Sequence, residues 1–428
     1  MRIAIVGTGI SGLTAAYLLS REHEVVVYEA ADRIGGHTAT IDVGYHNKSY
    51  SVDTGFIVFN DWTYPNFKKL LAQIGVEYQP TSMGFSVSCE QTGLEYSGDN
   101  LNTLFAQRRN LLRPSHWKML MDIMRFNKHA PLDLEKGGEF SQMTLGEYLE
   151  KNRYSTVFID KYLIPMGAAI WSASTSVMKA FPLQFFVKFF INHGLLSVVN
   201  RPQWHVIKGG SRAYLPSLTA SFSDNIRLAT PVTSIARHDP LEANGHKVSV
   251  TAVDSHKVES TQTYDHVILA CHSDQALALL SDANAQEASV LGAIAYRDNE
   301  VVLHTDETLL PRCKATWSSW NYRIVERSNE SEPPVLTYNM NILQNLTADC
   351  TFCVTLNKTQ AIDPNKVLGV YHYAHPVFSL DAVAAQQRWS EVNGPNNTWF
   401  CGAYWANGFH EDGVTSAIRV ARSFGIEL

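Results

Sequence analysis

Cysteine is sparse in this sequence and carries no pattern. Six residues, Cys89, Cys271, Cys313, Cys350, Cys353 and Cys401, are scattered through 428 without a disulfide framework, so reduced thiols in a cytoplasm are expected. Cys350 and Cys353 form a C-x-x-C with no second pair and no redox helix after it, which argues against a zinc or dithiol centre. No uncharged apolar run reaches about 18 residues, so no membrane span is expected. A secretory leader is not expected either, because an apolar strand begins at residue 2. Excess positive charge is also missing. Lys and Arg number 35 against 41 Asp and Glu, a net charge of -6, which excludes a basic footprint for nucleic acid. His372 and His375 suggest no metal site, since their odd separation on a strand sends them to opposite faces and Pro376 is expected to end that strand.

What is present is a globular balance of 45% apolar and 18% charged residues, long enough for two joined domains. The organising stretch comes first. A strand through Val6 enters Gly7-Thr8-Gly9-Ile10-Ser11-Gly12, which opens an amphipathic helix. Gly7 permits the turn, Gly9 lets backbone approach a pyrophosphate, and Gly12 lets helix pack on strand, with phosphates on the free amides that include Ser11. A second strand, 24–28, ends at Glu29, about twenty residues past the glycines, where a carboxylate can accept both hydroxyls of an adenosine ribose. That acid favours FAD or NAD over a phosphorylated ribose. A second glycine turn follows in Arg33-Ile34-Gly35-Gly36-His37.

Residues 100–194 show apolar spacing of three and four, a mostly helical block inserted between strand-rich parts. Within it Phe181, Phe185 and Phe189 recur every four residues beside Phe186 and Phe190. Such a stripe reads as domain core, or alternatively as an apolar entrance for a lipid chain. Strands resume at 204–207, 232–237, 247–252 and 265–270, then at 300–305, 335–341, 352–356 and 367–374. The last strand, 398–402, leads through a loop to a helix expected over 415–424, whose first turn carries Gly413. Phe59, Trp171, Trp204, Trp317, Trp320, Asn321, Tyr404 and Trp405 are candidates for a substrate pocket, each able to serve equally as core. His205 is the candidate acid or base, because imidazole titrates near neutral pH.

The two glycine turns resemble the amine oxidase and phytoene desaturase superfamily of FAD proteins. In that superfamily the second turn ends Gly-Gly-Arg; here His37 stands for the arginine, leaving the phosphates one fixed positive charge fewer unless Arg33 compensates. Further motifs are Asp53-Thr54-Gly55-Phe56-Ile57-Val58-Phe59-Asn60, Trp317-Ser318-Ser319-Trp320-Asn321 and Phe400-Cys401-Gly402-Ala403-Tyr404 with Gly408-Phe409-His410-Glu411-Asp412-Gly413. With these the chain resembles the FAD-containing N-terminal portion of plant cyclopropane fatty acid synthases and its free-standing bacterial relatives. The resemblance implies an α/β fold: a discontinuous Rossmann-like FAD-binding domain (1–60, 204–285 and 396–428) with an inserted α+β substrate domain (61–203 and 286–395). It implies FAD contacts at Thr54, Gly55, Phe56, Val232, Gly402, Asp412, Gly413 and Val414. It also implies oxidation or desaturation of a lipid-linked fatty acyl chain, with a fatty-acid methyltransferase as functional partner and peripheral membrane contact. Alternatives are flavin amine oxidation and a non-catalytic FAD-binding partner. The lysine usual near the flavin in amine oxidases has no counterpart on the strand around 296–304.

Overall fold

The computed structural model describes residues 1–197, 200–238, 247–325 and 330–428, with the backbone alone at Ser141. Strands Arg2–Val6 and Glu24–Tyr28 are short and apolar, and both are covered on two faces, as buried parallel strands require. They sit inside a five-stranded parallel sheet whose order from edge to edge is 226–227, 24–28, 2–6, 266–269, 398–400. The helix Ile10–Leu19 is buried on almost every side, which its uniformly apolar or small residues allow. A three-stranded antiparallel sheet, Val232–Arg237, Val248–Val253 and Glu259–Tyr264, packs on the parallel strands.

A seven-stranded sheet forms the second layer, ordered Val367–Val377, Ala295–His304, Cys353–Leu356, Val335–Asn339, Trp320–Ile324, Phe85–Cys89, Leu94–Ser97. Helices between residues 101 and 192 pack against one end of it, burying Phe126, Phe158, Phe181 and Phe186 with Val87, Tyr96 and Tyr322 from the sheet. The aromatic stripe therefore faces inward. Phe181 and Phe189 lie 4.6 and 4.7 Å from the Trp171 ring, Phe186 stacks on Phe190 at 4.1 Å, and Phe185 on Phe378 at 5.0 Å.

Three expectations are corrected. The strand through His375 does not stop before Pro376: it runs Val367–Val377 and pairs Pro376 with Tyr296. Its position at the sheet's edge explains why a residue without an N–H is tolerated there. The terminal helix spans His410–Arg422, beginning five residues before the expected start. The strand expected over 335–341 ends at Asn339, where the short helix Met340–Leu343 begins. The hairpin Thr40–Tyr45 with Lys48–Asp53 closes the second glycine turn. No helix among the described residues is long and apolar enough to cross a membrane.

Candidate active site

The first glycine turn behaves as its three positions demand. Gly7 has φ +105, in the left-handed half of backbone space. A Cβ at Gly12 would lie 2.0 Å from the Gly7 carbonyl oxygen and 3.1 Å from the Ala270 Cβ, so only glycine lets this helix sit on its strand. At Gly9 a Cβ would meet nothing within 4 Å. The chain has thus kept an open strip of space above the glycine and beside the unpaired first-turn amides of a helix, which fits a pyrophosphate. A Cβ added to Gly36 of the second turn would stand 3.2 Å from the Gly9 Cα, so the two turns form one wall.

Glu29 ends its strand against this wall. Oε2 accepts the Thr8 amide at 2.9 Å and the Thr8 hydroxyl, while Oε1 accepts the Ala31 amide at 2.9 Å. The carboxylate is thereby aimed, and it keeps acceptor capacity for ribose hydroxyls. Thr230 donates its amide to the Glu29 carbonyl at 2.8 Å, which brings the chain before Val232 alongside. Glu29→Ala is expected to weaken FAD binding roughly tenfold to a hundredfold, the value of one or two hydrogen bonds to a charged acceptor. Flavin release on dialysis, measured against the unaltered protein, checks this.

Three further segments converge here. Phe56 donates its amide to the His37 carbonyl at 2.7 Å, and a Cβ on Gly55 would strike that carbonyl at 2.1 Å. The Thr54 hydroxyl lies 2.8 Å from that of Tyr373. Gly413 brings the terminal helix onto the first one, where an added Cβ would stand 2.8 Å from the Ser11 hydroxyl. The Arg33 guanidinium binds the carbonyls of Ile34, Gly36 and Thr38 at 3.5, 3.0 and 3.4 Å and braces the turn. His37 is neutral. Burial, with His375 and His272 nearby, pushes its pKa down to about 3.

The terminal helix corrects other positions. The Gly413 amide bonds the Phe409 carbonyl at 3.1 Å within the helix, and Val414 is wholly buried in the core, so neither offers a free amide. The amides a helix leaves unpaired belong to His410, Glu411 and Asp412. Gly402 gives its amide to the Ser416 hydroxyl at 2.9 Å. Asp412 accepts the Asn407 and Phe409 amides at 3.2 and 2.9 Å, and burial lifts its pKa to about 7. His410 stacks flat on Phe56 at 3.4 Å and meets the Thr38 and Tyr214 hydroxyls at 3.1 and 3.3 Å.

Two cavities adjoin this assembly. The larger, about 350 Å³, lies at the start of the terminal helix among Trp62, Tyr64, His193, Phe409, Glu411 and Asp412. Its carboxylates are engaged already, Glu411 with Asn66 and the Phe67 amide and Asp412 as above. The smaller lies between Trp171, Phe181 and Phe378 on one side and Arg297 and His375 on the other. It is the more informative of the two, because His375 reaches back to His37, with ring centroids 5.6 Å apart, and so joins the cavity to the glycine wall. Burial pushes the His375 pKa down to about 4, so its imidazole is neutral there. The Arg297 Nη1 is shielded from solvent and has no hydrogen-bond partner among the described residues.

Of the predicted pocket residues, Trp171 lines this cavity, and Trp204 faces the larger one through His193 at 6.4 Å. The rest serve other ends. Phe59 is fully buried between Tyr64, Phe67 and Tyr78. Asn321 is spent in the sheet, accepting from Ser86 and donating to the carbonyls of Ser318 and Thr337. The Trp317 and Trp405 indoles bond the carbonyls of Pro311 and Phe400. Trp320 packs on Tyr338 at 5.1 Å, and Tyr404 is buried with Ile294 and Ala382. His205 pairs with Asp61 at 3.1 Å and packs on Phe59 and Tyr78, touching neither cavity. Arg297, Tyr373 and Phe378 went unread and His375 was weighed only as a metal ligand, although 371, 373, 375 and 377 alternate inward on one strand.

The sequence pattern of the family described as Flavin containing amine oxidoreductase matches residues 10–328. The chain belongs to that family. It is an FAD-dependent oxidoreductase, and FAD is the group that the open strip, the aimed carboxylate and the converging turns fit. Among solved structures, cyclohexylamine oxidase from Brevibacterium oxydans IH-35A is 15% identical, with a TM-score of 0.65 and 99% of each chain covered. The CLA-producing fatty acid isomerase from P. acnes is 14% identical, with a TM-score of 0.68, covering 99% of this chain and 98% of that one. These likenesses establish the amine oxidase-like fold. An L-amino acid oxidase from Cerastes cerastes is 52% identical over 40 residues, 9% of this chain and 8% of that relative.

Proposed function

We propose that this flavin oxidoreductase acts on a fatty acyl chain attached to lipid, removing hydrogen from carbon. The observation that carries the reading is the unpartnered Arg297 nitrogen at a cavity whose wall also includes Trp171, Phe181, His375, Val377 and Phe378. The cavity is about 10 Å³, so an acyl chain would enter by displacing the rings around it, with the guanidinium on an ester or carboxyl oxygen at its head. A protonated amine would set a second positive charge beside Arg297 in a poorly screened site, where like charges repel strongly. The strand Ala295–His304 also carries no lysine to take part in amine chemistry.

Bound FAD supplies the hydride acceptor. The chain's own residues do the rest: the aromatic wall excludes water, Arg297 holds the head, and neutral His375 adds no charge near the reacting carbon. Anaerobic bleaching of the flavin tests this. Detergent-dispersed unsaturated phospholipid or its fatty acid is expected to bleach the protein, and primary amines are not. Arg297→Met is expected to raise the lipid concentration needed roughly tenfold to a hundredfold with the flavin spectrum intact. Bleaching by amines, undiminished in Arg297→Met, would return the chain to amine oxidation. A flavin that no candidate reduces, in a strain whose methylated fatty acids change on deletion, would point to a binding partner of a methyltransferase.

A further inference from the structure

A second surface, whose exposed residues line neither cavity, carries a separate conclusion. Among the described residues, fifteen large apolar side chains are more than about a third exposed, and seven of them lie between positions 101 and 132. That density is not the scatter expected of a soluble surface. The 3₁₀ turn Arg108–Leu112 ends on Leu111 and Leu112, the latter 87% exposed, and leads into the long helix Pro114–Lys136. On that helix Trp117, Met121 and Met124 recur at intervals of four and three, which puts them on one face. Met121 and Met124 are 55% and 66% exposed. The opposite face, with Met119, Phe126 and Ala130, is buried in the helical core, so the helix is held by its inner side and shows an apolar stripe outward.

The charge around the stripe is mostly of one sign. From residue 105 to the end of the helix stand Arg108, Arg109, Arg113, Lys118, Arg125, Lys128 and Lys136 against Asp122, Asp133 and Glu135, in a chain of net charge -6, and Asp133 is held by Lys136 at 2.6 Å. Asp122 is buried and neutralised by Lys118 and Arg125 at 2.9 and 3.2 Å. Arg108, Arg109 and Arg113 donate only to neutral acceptors: the Phe105 carbonyl and Asn102, the Gly93 carbonyl, and Asn110. The Trp117 indole N–H binds the Leu111 carbonyl at 2.9 Å, which fixes turn and helix as one plate. An apolar ridge with an indole, rimmed by uncompensated cations, is the arrangement by which a helix lies in the headgroup layer of an anionic membrane.

We infer that the turn Arg108–Leu112 and the outer face of the helix Pro114–Lys136 dock this protein on an anionic lipid bilayer. A second copy of the chain is the less fitting occupant, since two such faces would bring like charges together. The inference rests on this surface alone and holds whichever substrate the flavin site takes.

Flotation of the FAD-loaded protein with vesicles tests it. Vesicles rich in phosphatidylglycerol are expected to carry the protein, phosphatidylcholine vesicles to carry little, and high salt to release it. Leu112→Asp with Met121→Asp is expected to abolish flotation. Arg109→Gln, Arg113→Gln and Lys128→Gln together are expected to weaken it roughly a hundredfold. All variants should keep their flavin absorbance and unfolding midpoint, which separates loss of docking from loss of fold. Equal flotation with both lipids, or none, overturns the inference. So does a dimer in sedimentation that Leu112→Asp with Met121→Asp splits, which would make this face a contact between copies.

Discussion

Purified Gly9→Val protein is expected to be folded and colourless. A Cβ at Gly9 meets nothing within 4 Å, and the residue has φ -63, which valine adopts readily, so the apoprotein loses nothing when the side chain is added. What the valine fills is the strip beside the free amides of the helix Ile10–Leu19, where a pyrophosphate must run. Binding should fall on the order of a thousandfold or more, since a phosphate cannot share its place with two methyl groups. Visible absorbance gives the flavin content, and the unfolding midpoint without FAD gives the fold. A yellow Gly9→Val protein would refute the site. Gly12→Val is the contrasting case: its Cβ would stand 2.0 Å from the Gly7 carbonyl oxygen, so it should fail to fold at all.

Asp53→Asn is expected to destabilise the protein by about 2–4 kcal/mol and to loosen FAD with it. Asp53 is fully buried. Its carboxylate accepts the Thr40 hydroxyl at 2.5 Å, the Ser211 amide and hydroxyl at 2.9 Å each, and the Gln344 side-chain amide at 2.8 Å. One acceptor therefore ties the hairpin, the turn after Gly210 and the second layer together beside Thr54 and Gly55. An asparagine presents an NH₂ to donors on at least one side, and whichever way it turns a buried donor goes unpaired.

The same residue gives a pH signature. Burial raises the Asp53 pKa from 3.8 to about 6. An acid whose folded pKa is raised contributes stability below its unfolded pKa and loses it as pH rises through the folded one, here between about 4 and 6. The gap in unfolding free energy between the natural protein and Asp53→Asn should therefore widen by about 1 kcal/mol from pH 7 to pH 5. Urea titrations at the two pH values measure it; a gap that stays the same would mean that the carboxyl is ionised in the fold throughout.

Features that depend on neighbours a few residues away were legible in the sequence. Gly7, Gly9, Gly12 and Glu29 act within one strand–turn–helix unit, and the structure gives each its expected geometry. What distant segments decide was not legible. Gly413 reads as a residue that delays a helix, yet it stands inside one because Ser11 leaves no room for a side chain there. Pro376 reads as a strand end, yet at a sheet edge its missing N–H costs nothing, and with the strand cut short the inward-facing Tyr373 and His375 carried no sign of a pocket. Phe59, Asn321 and Tyr404 have the chemistry of a pocket and the location of a core, a difference set by which face of a sheet is covered. Arg297 carried no signal on a strand that also holds Asp298, Asn299 and Glu300.

The order of the parallel sheet has a consequence for how the enzyme is made. The first strand–helix–strand unit is complete once residue 28 leaves the ribosome, but the strand Arg2–Val6 gains its other neighbour only with residues 266–269. The crossing of Ser11 by Gly413 comes later still. At roughly 5–20 residues per second, the growing chain spends tens of seconds with an unpaired central strand and half a cofactor groove. The cofactor groove is therefore whole only once the helix His410–Arg422 has been made. Through that interval the nascent protein presents a bare apolar strand edge, the kind of surface that chaperones hold.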